Sequence, residues 1–227
     1  AYRLSAPVSV SALGSADTAT SMMSEYSRMH TLQQAQVLVQ ASDDVVIATK
    51  RIAVIGISGS FPMATDVVQF WDNLLQGKDC ISEIPASRWD FSAMEKAGLS
   101  AVKWGGVMAD VEVFDPLFFG ISPREAQLMD PQQRLLMTHA WQALEDAGYA
   151  PQSLAGSDMA LFIGTSNTGY SDLIGMSGAS IEGYSSTGMV ASVGPNRVSY
   201  LLDLHGPSEP VETACSSALV AIHRAVC

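Results

Sequence analysis

Three reactive side chains stand together near one end of the sequence: Cys215, Ser216 and Ser217, in the run Gly206-Pro207-Ser208-Glu209-Pro210-Val211-Glu212-Thr213-Ala214-Cys215-Ser216-Ser217-Ala218-Leu219-Val220-Ala221-Ile222-His223-Arg224-Ala225. A cysteine thiolate is a strong nucleophile, able to carry a substrate as a thioester between two halves of a reaction. Ala218, Leu219, Ile222, Ala225 and Val226 recur at helical spacing, so a helix begins just after the cysteine. Ser216 and Ser217 fall where a helix start takes hydroxyl caps. Cys215 would then lie at the positive end of a helix dipole, where backbone N–H groups favour a negative sulfur. The competing reading is packing, because cysteine is among the most buried residue types and a lone one on an apolar helix is usually core. On residue types alone both readings stand.

The rest of the chain supplies elements that could position this turn. Arg51-Ile52-Ala53-Val54-Ile55-Gly56-Ile57 reads as a buried, central parallel strand closed by Ser58-Gly59-Ser60. Gly56, Gly59 and Phe61-Pro62 do not form G-x-G-x-x-G, which argues against a dinucleotide site. Asp66 to Leu75 reads as a helix with Phe70, Trp71, Leu74 and Leu75 on one side and Gly77 as its stop. Lys78 to Phe119 is irregular and aromatic-rich, suited to pocket walls or a subunit contact. Asp130-Pro131-Gln132-Gln133 is a helix start with an Asp cap, a first-position Pro and a third-position Gln. Leu135, Leu136, His139, Ala140, Ala143, Leu144 and Ala147 follow at helical spacing up to Gly148, and His139 reads as a hydrogen-bonded core residue. Asp158 to Gly164 reads as a second central strand, and Thr165 to Gly188 as a Gly/Ser-rich loop region near the active face with room for one short helical turn. Met189 to Leu204 reads as a helix, with Pro195 blurring its start. Alternating strands and helices predict an α/β fold with a mainly parallel sheet, helices on both faces, and Cys215 at the carboxyl end of a strand.

Residues 1–50 differ in character. Ala1 to Thr20 reads as a linker, and Ser21 to Ser42 as an amphipathic helix that packs on a neighbouring domain, pairs with a copy of itself or simply connects. Residues 51–227 form the second region. With 12 Lys+Arg against 23 Asp+Glu the net charge is -11, which argues against nucleic acid as the main partner. No apolar run is long enough for a membrane span, and the N-terminus lacks a signal-peptide pattern. Cys80, Cys215 and Cys227 have neither metal-ligand nor disulfide-framework spacing, which suits a reducing cytoplasm.

The run around Thr213-Ala214-Cys215-Ser216-Ser217 resembles the active-site motif of β-ketoacyl synthases, more specifically the ketosynthase domain of a modular type I polyketide synthase. Ile52 to Ile57 with Phe61-Pro62 resembles the family's opening strand and turn. Phe114 to Ala126, continued by Met129 to Leu136, is a long match. Asn196-Arg197-Val198-Ser199-Tyr200 with Leu204 to Ser208 is another. Gly206 to Val211 is most similar to the branch whose acyltransferase acts in trans. The resemblance implies a thiolase-like layered fold, normally a homodimer, that binds no cofactor itself. It implies an acyl carrier protein as partner, whose phosphopantetheine delivers an acyl chain to Cys215, beside the other domains of the synthase. A malonyl carrier protein is then decarboxylated and its carbanion attacks the acyl thioester. The Cys215 backbone N–H would serve the oxyanion hole. The family also uses two histidines and a lysine in later motifs. His30, His139, His205 and His223 stand in none of them, so the chain corresponds to the N-terminal part of such a domain, expected to be inactive alone in condensation. The alternative is a non-elongating ketosynthase that transfers acyl groups, docks carrier proteins or holds a dimer.

Overall fold

The computed structural model describes residues 51–88, 90–99, 102–178 and 183–227. The chain divides into two units, Ala1–Ile52 and Ala53–Cys227. The linker and helix expected within residues 1–50 lie outside the described residues, and the elements that follow belong to the second unit.

Helix α1 (Val67–Leu75) starts at Asp66, whose carboxylate accepts from the Gln69 N–H at 2.8 Å. Its chain reverses at Gly77, where φ is +59°. Strands β1 (Ser82–Glu83) and β2 (Trp104–Gly105) pair antiparallel around helix α2 (Phe91–Lys96). Helix α3 (Pro123–Leu128) is capped by Ser122, and the 16-residue helix α4 (Pro131–Asp146) by Asp130. Strand β3 (Leu161–Gly164) precedes helices α5 (Tyr170–Met176), α6 (Gly183–Thr187) and α7 (Val193–Leu202). Strand β4 (Ser208–Val211) and helix α8 (Ser217–Val226) follow. β3 and β4 run parallel, with Leu161 opposite Ser208 and Gly164 opposite Val211.

The core lies where α4 crosses α7. Met129 is fully buried, and Phe119, Ile121, Met137, Val198 and Leu202 pack with it. The aromatic segment before α3 adds Phe114, stacked on Phe119 at 5.1 Å, and Phe118, edge-on to Trp141 at 4.8 Å. The irregular stretch Lys78 to Phe119 is thus anchored by its last residues on the core.

Expectations about individual elements need correction. Thr165 to Gly188, expected as a loop with room for one short helical turn, carries both α5 and α6. Arg51 to Ile57 is not a strand: Val54 is 83 % and Ile55 64 % exposed. Its backbone is engaged elsewhere, because the Ile57 N–H donates to Asp146 Oδ2 at 2.8 Å. Gly56 lies so close to α4 that a Cβ there would sit 2.2 Å from the Ala143 carbonyl oxygen. The segment crosses the carboxyl end of α4 instead of joining β3 and β4. The parallel part of the sheet among the described residues is therefore the β3–β4 pair. α8 forms as expected, and it buries its small residues, Ser217 and Ala221, while Leu219 is 72 % and Ile222 61 % exposed. The reason is close approach: a Cβ on Gly164 would meet the Ala218 nitrogen at 2.9 Å, and only a side of small residues fits against β3.

Met129→Ala should remove a side chain that the core surrounds completely, lowering unfolding free energy by about 2–5 kcal/mol in denaturant titration. A loss of under about 0.5 kcal/mol, the scale of surface substitutions, would contradict this placement of the core.

Candidate functional site

Cys215 occupies the corner between β4 and α8. Its thiol is free and exposed. Ala214, just before it, has φ +53°, a left-handed conformation that costs a residue with a Cβ and persists only where the surroundings enforce it. The enforcing groups are the two serines. Ser216 Oγ donates to the Thr213 carbonyl at 2.7 Å, and Ser217 Oγ donates to the Ala214 carbonyl at 2.8 Å. Ser217 Oγ also accepts from the Thr213 N–H at 2.9 Å. The expectation that these hydroxyls cap the helix is therefore corrected. Ser216 holds the N-cap position without a side-chain cap bond, and both hydroxyls turn back to hold the tight turn.

A cavity of about 500 Å³ lies between the end of β3, the loop that follows it and the first turns of α4, and Cys215 itself is not among its lining residues. Ile163 to Asn167, Tyr170 and Ser171 form one wall; Met189, Ala191 and Gly194 form another. The first turns of α4 make its floor, and Glu212, three residues before Cys215, reaches its edge. None of the described residues between Lys78 and Phe119 lines it, so the role of pocket wall expected for that stretch falls to the Gly/Ser-rich loop.

Both walls are held by side chains from the α3–α4 junction. Gln132 pairs with the Ser166 main chain, its Nε2 donating to the Ser166 carbonyl at 2.5 Å and its Oε1 accepting from the Ser166 N–H at 3.1 Å. Thr168 Oγ1 donates to Asp130 Oδ2 at 2.5 Å, and the Tyr170 hydroxyl to the Gln127 carbonyl at 2.7 Å. Gln133, buried, donates to the carbonyls of Thr187 and Val190 and accepts from Arg197 Nε at 3.0 Å. Arg197 also pairs with Glu125 at 2.7 Å, both largely buried. The capping box suggested by Asp130 and Gln133 does not close, because the Asp130 N–H donates to the Gly188 carbonyl at 2.8 Å.

Comparison with known proteins decides the family. Residues 49–227 match the description "Beta-ketoacyl synthase, N-terminal domain". The chain belongs to the β-ketoacyl synthase family. It is 57% identical over 180 residues to polyketide synthase PksN of Bacillus subtilis, covering 77% of this chain and 3% of that protein. Polyketide synthase ThaG of Burkholderia thailandensis is 45% identical over 179 residues, or 77% of this chain and 3% of that protein. The ketosynthase from module 6 of the bacillaene synthase of Bacillus subtilis superposes with a TM-score of 0.64 at 36% identity, over 76% of this chain and 27% of that one. The chain thus spans a small fraction of the curated relatives it matches. The likeness carries the expected thiolase-like α/β fold, represented here by its N-terminal part.

Within this ketosynthase unit, the motif residues that carry the resemblance converge. Asp130, Gln132, Gln133, Leu135 and Leu136 of the Met129-to-Leu136 run form the cavity floor, Arg197 braces Gln133, and Glu212, three residues before Cys215, lines the cavity. Sequence reasoning missed Gln132, Gln133, Asp130 and Thr168 as shaping residues, because a helix-start pattern explained the first three fully. Among the described residues no group of His, Cys, Asp or Glu is arranged to hold a metal ion, and no helix is long and apolar enough to cross a membrane.

His139 sits half-buried on the cavity floor with Nδ1 2.9 Å from Ser58 Oγ. Burial lowers its pKa below the ordinary 6.5, opposed by a hydrogen bond with Gln142. The unfolded chain therefore binds this proton more readily than the folded one. Folding stability should hold above pH 6.5 and decline as pH falls below it towards the depressed folded value. Chemical denaturation between roughly pH 7.5 and 5.5 should show a shallower decline in His139→Gln than in the parent. Equal slopes would assign the decline to other groups.

Proposed function

We propose that this chain carries the acyl-accepting nucleophile of polyketide chain extension, with Cys215 as the catalytic residue. The observation that carries the reading is the free, exposed thiol of Cys215 on a clamped strand–turn–helix corner, three residues after Glu212, which lines a cavity of about 500 Å³. Family membership supports the chemistry. In the first step the Cys215 thiolate attacks the carbonyl carbon of an acyl chain carried on the phosphopantetheine of an acyl carrier protein. The backbone N–H of Cys215 helps to hold the oxyanion that develops. The carbon–sulfur bond to pantetheine breaks, the carrier thiol leaves with a proton, and the acyl group rests on Cys215. In the second step a malonyl carrier protein loses carbon dioxide. The resulting carbanion attacks the acyl–Cys215 carbonyl, a carbon–carbon bond forms, and the thiolate is released. Splitting transfer from condensation is the use of covalent catalysis.

The partners of this reading are acyl carrier proteins and neighbouring synthase domains, in a homodimer, within the cytoplasm. The likeness of Gly206 to Val211 to the branch with a trans-acting acyltransferase supports a synthase of that branch.

The test uses the intact ketosynthase domain that contains this chain. Incubation with a radiolabelled acyl carrier protein should label the domain, and Cys215→Ala should abolish the label. Undiminished labelling of that variant would reject Cys215 as nucleophile. With malonyl carrier protein added, release of carbon dioxide and a two-carbon longer product are expected. Acyl transfer without either would turn the reading towards a non-elongating module.

A further inference from the structure

We propose that Gln132 is a positioning residue that sets which acyl chains reach Cys215, by holding the Thr165–Tyr170 wall of the cavity. The proposal deepens the acyl-transfer reading and rests on it. The parallel ladder between β3 and β4 ends where the Thr165 N–H donates to the Val211 carbonyl at 2.9 Å. The next residue, Ser166, pairs with a side chain instead. Both its N–H and its carbonyl are taken by the Gln132 amide, at 3.1 Å and 2.5 Å. A primary amide offers a donor and an acceptor side by side, so it meets a main-chain residue as a neighbouring strand would. Gln132 stands in the first turn of the 16-residue helix α4, whose next residues pack into the core. The loop therefore takes its position from a rigid element. Thr168 and Tyr170 add tethers to Asp130 and the Gln127 carbonyl, but neither engages the loop's main chain on both its donor and its acceptor. Ile163 to Asn167 and Tyr170 line the cavity, as does Glu212, three residues before Cys215, so displacement of this loop changes the space open to an acyl chain that extends from Cys215 into the cavity.

Gln132→Glu is the discriminating variant. It keeps the length and the acceptor, and it replaces the donor with a second oxygen facing the Ser166 carbonyl. In the intact ketosynthase domain, loading of Cys215 is measured with acetyl- and hexanoyl-pantetheine thioesters, together with amide exchange at residues 165–170. Gln132→Glu should speed that exchange. It should also shift the hexanoyl-to-acetyl ratio of kcat/KM about tenfold, the scale expected when a bound chain is misplaced by a fraction of an ångström. A purely structural role would lower both rates together with the thermal midpoint. A ratio within about twofold of the parent's overturns the proposal, as does unchanged exchange. Should Gln132→Glu not fold, Thr168→Val carries the test. It breaks one neighbouring tether, and a ratio shift of about threefold in that variant supports the wall as selector, while none rejects it. Failure of the parent domain to load either thioester on Cys215 would reject the acyl-transfer reading and the selectivity claim with it, while the exchange data still report on the tether.

Discussion

Irregular main chain near a cavity must find hydrogen-bond partners, and in this fold the short segment from Gln127 to Arg134 supplies them. Its groups reach outward in several directions at once. Gln132 satisfies Ser166; Gln133 satisfies Thr187 and Val190; the Asp130 N–H meets Gly188; Arg134 Nη1 donates to the Glu112 carbonyl at 3.2 Å. Backbone also approaches backbone here, since a Cβ on Gly188 would lie 2.1 Å from the Leu128 carbonyl oxygen. Two loops of glycine and serine thereby gain fixed positions that their own composition could not give them. The largely buried Arg197–Glu125 pair ties α7 to α3 across this hub. Such a pair adds little net stability once desolvation is counted, and its value lies in fixing orientation.

The elements whose signal is local were legible in the sequence. Asp66 and Asp130 open helices because a short side-chain oxygen meets the first free N–H groups, whereas the short helix that Ser122 caps was not read. The β4–turn–α8 unit around Cys215 was equally plain. What could not be read was which face each element buries. Leu219 and Ile222 mark the apolar side of α8, yet close approach of Gly164 selects the side of Ser217 and Ala221. The β-branched run Arg51 to Ile57 has every local mark of a central strand, and a tertiary contact with Asp146 and Ala143 holds it elsewhere. Gln132 and Gln133 were hidden for a different reason. A helix-start pattern accounts for them completely, and nothing in the sequence reveals that their amides face loops more than 30 residues away.

The turn at Cys215 shows the same economy on a smaller scale. A left-handed Ala214 is unfavourable, so some interaction must hold it. The hydroxyls of Ser216 and Ser217 do so by closing onto Thr213 and Ala214, which removes them from other duties. Of the three reactive side chains in the turn, two are committed to holding the main chain, and the thiol is left free and exposed. The division explains why alcohol and thiol nucleophiles adjoin without competing. It also separates two kinds of damage: loss of a serine hydroxyl frees the strained backbone and moves the sulfur, whereas loss of the sulfur leaves the turn intact and removes only the chemistry.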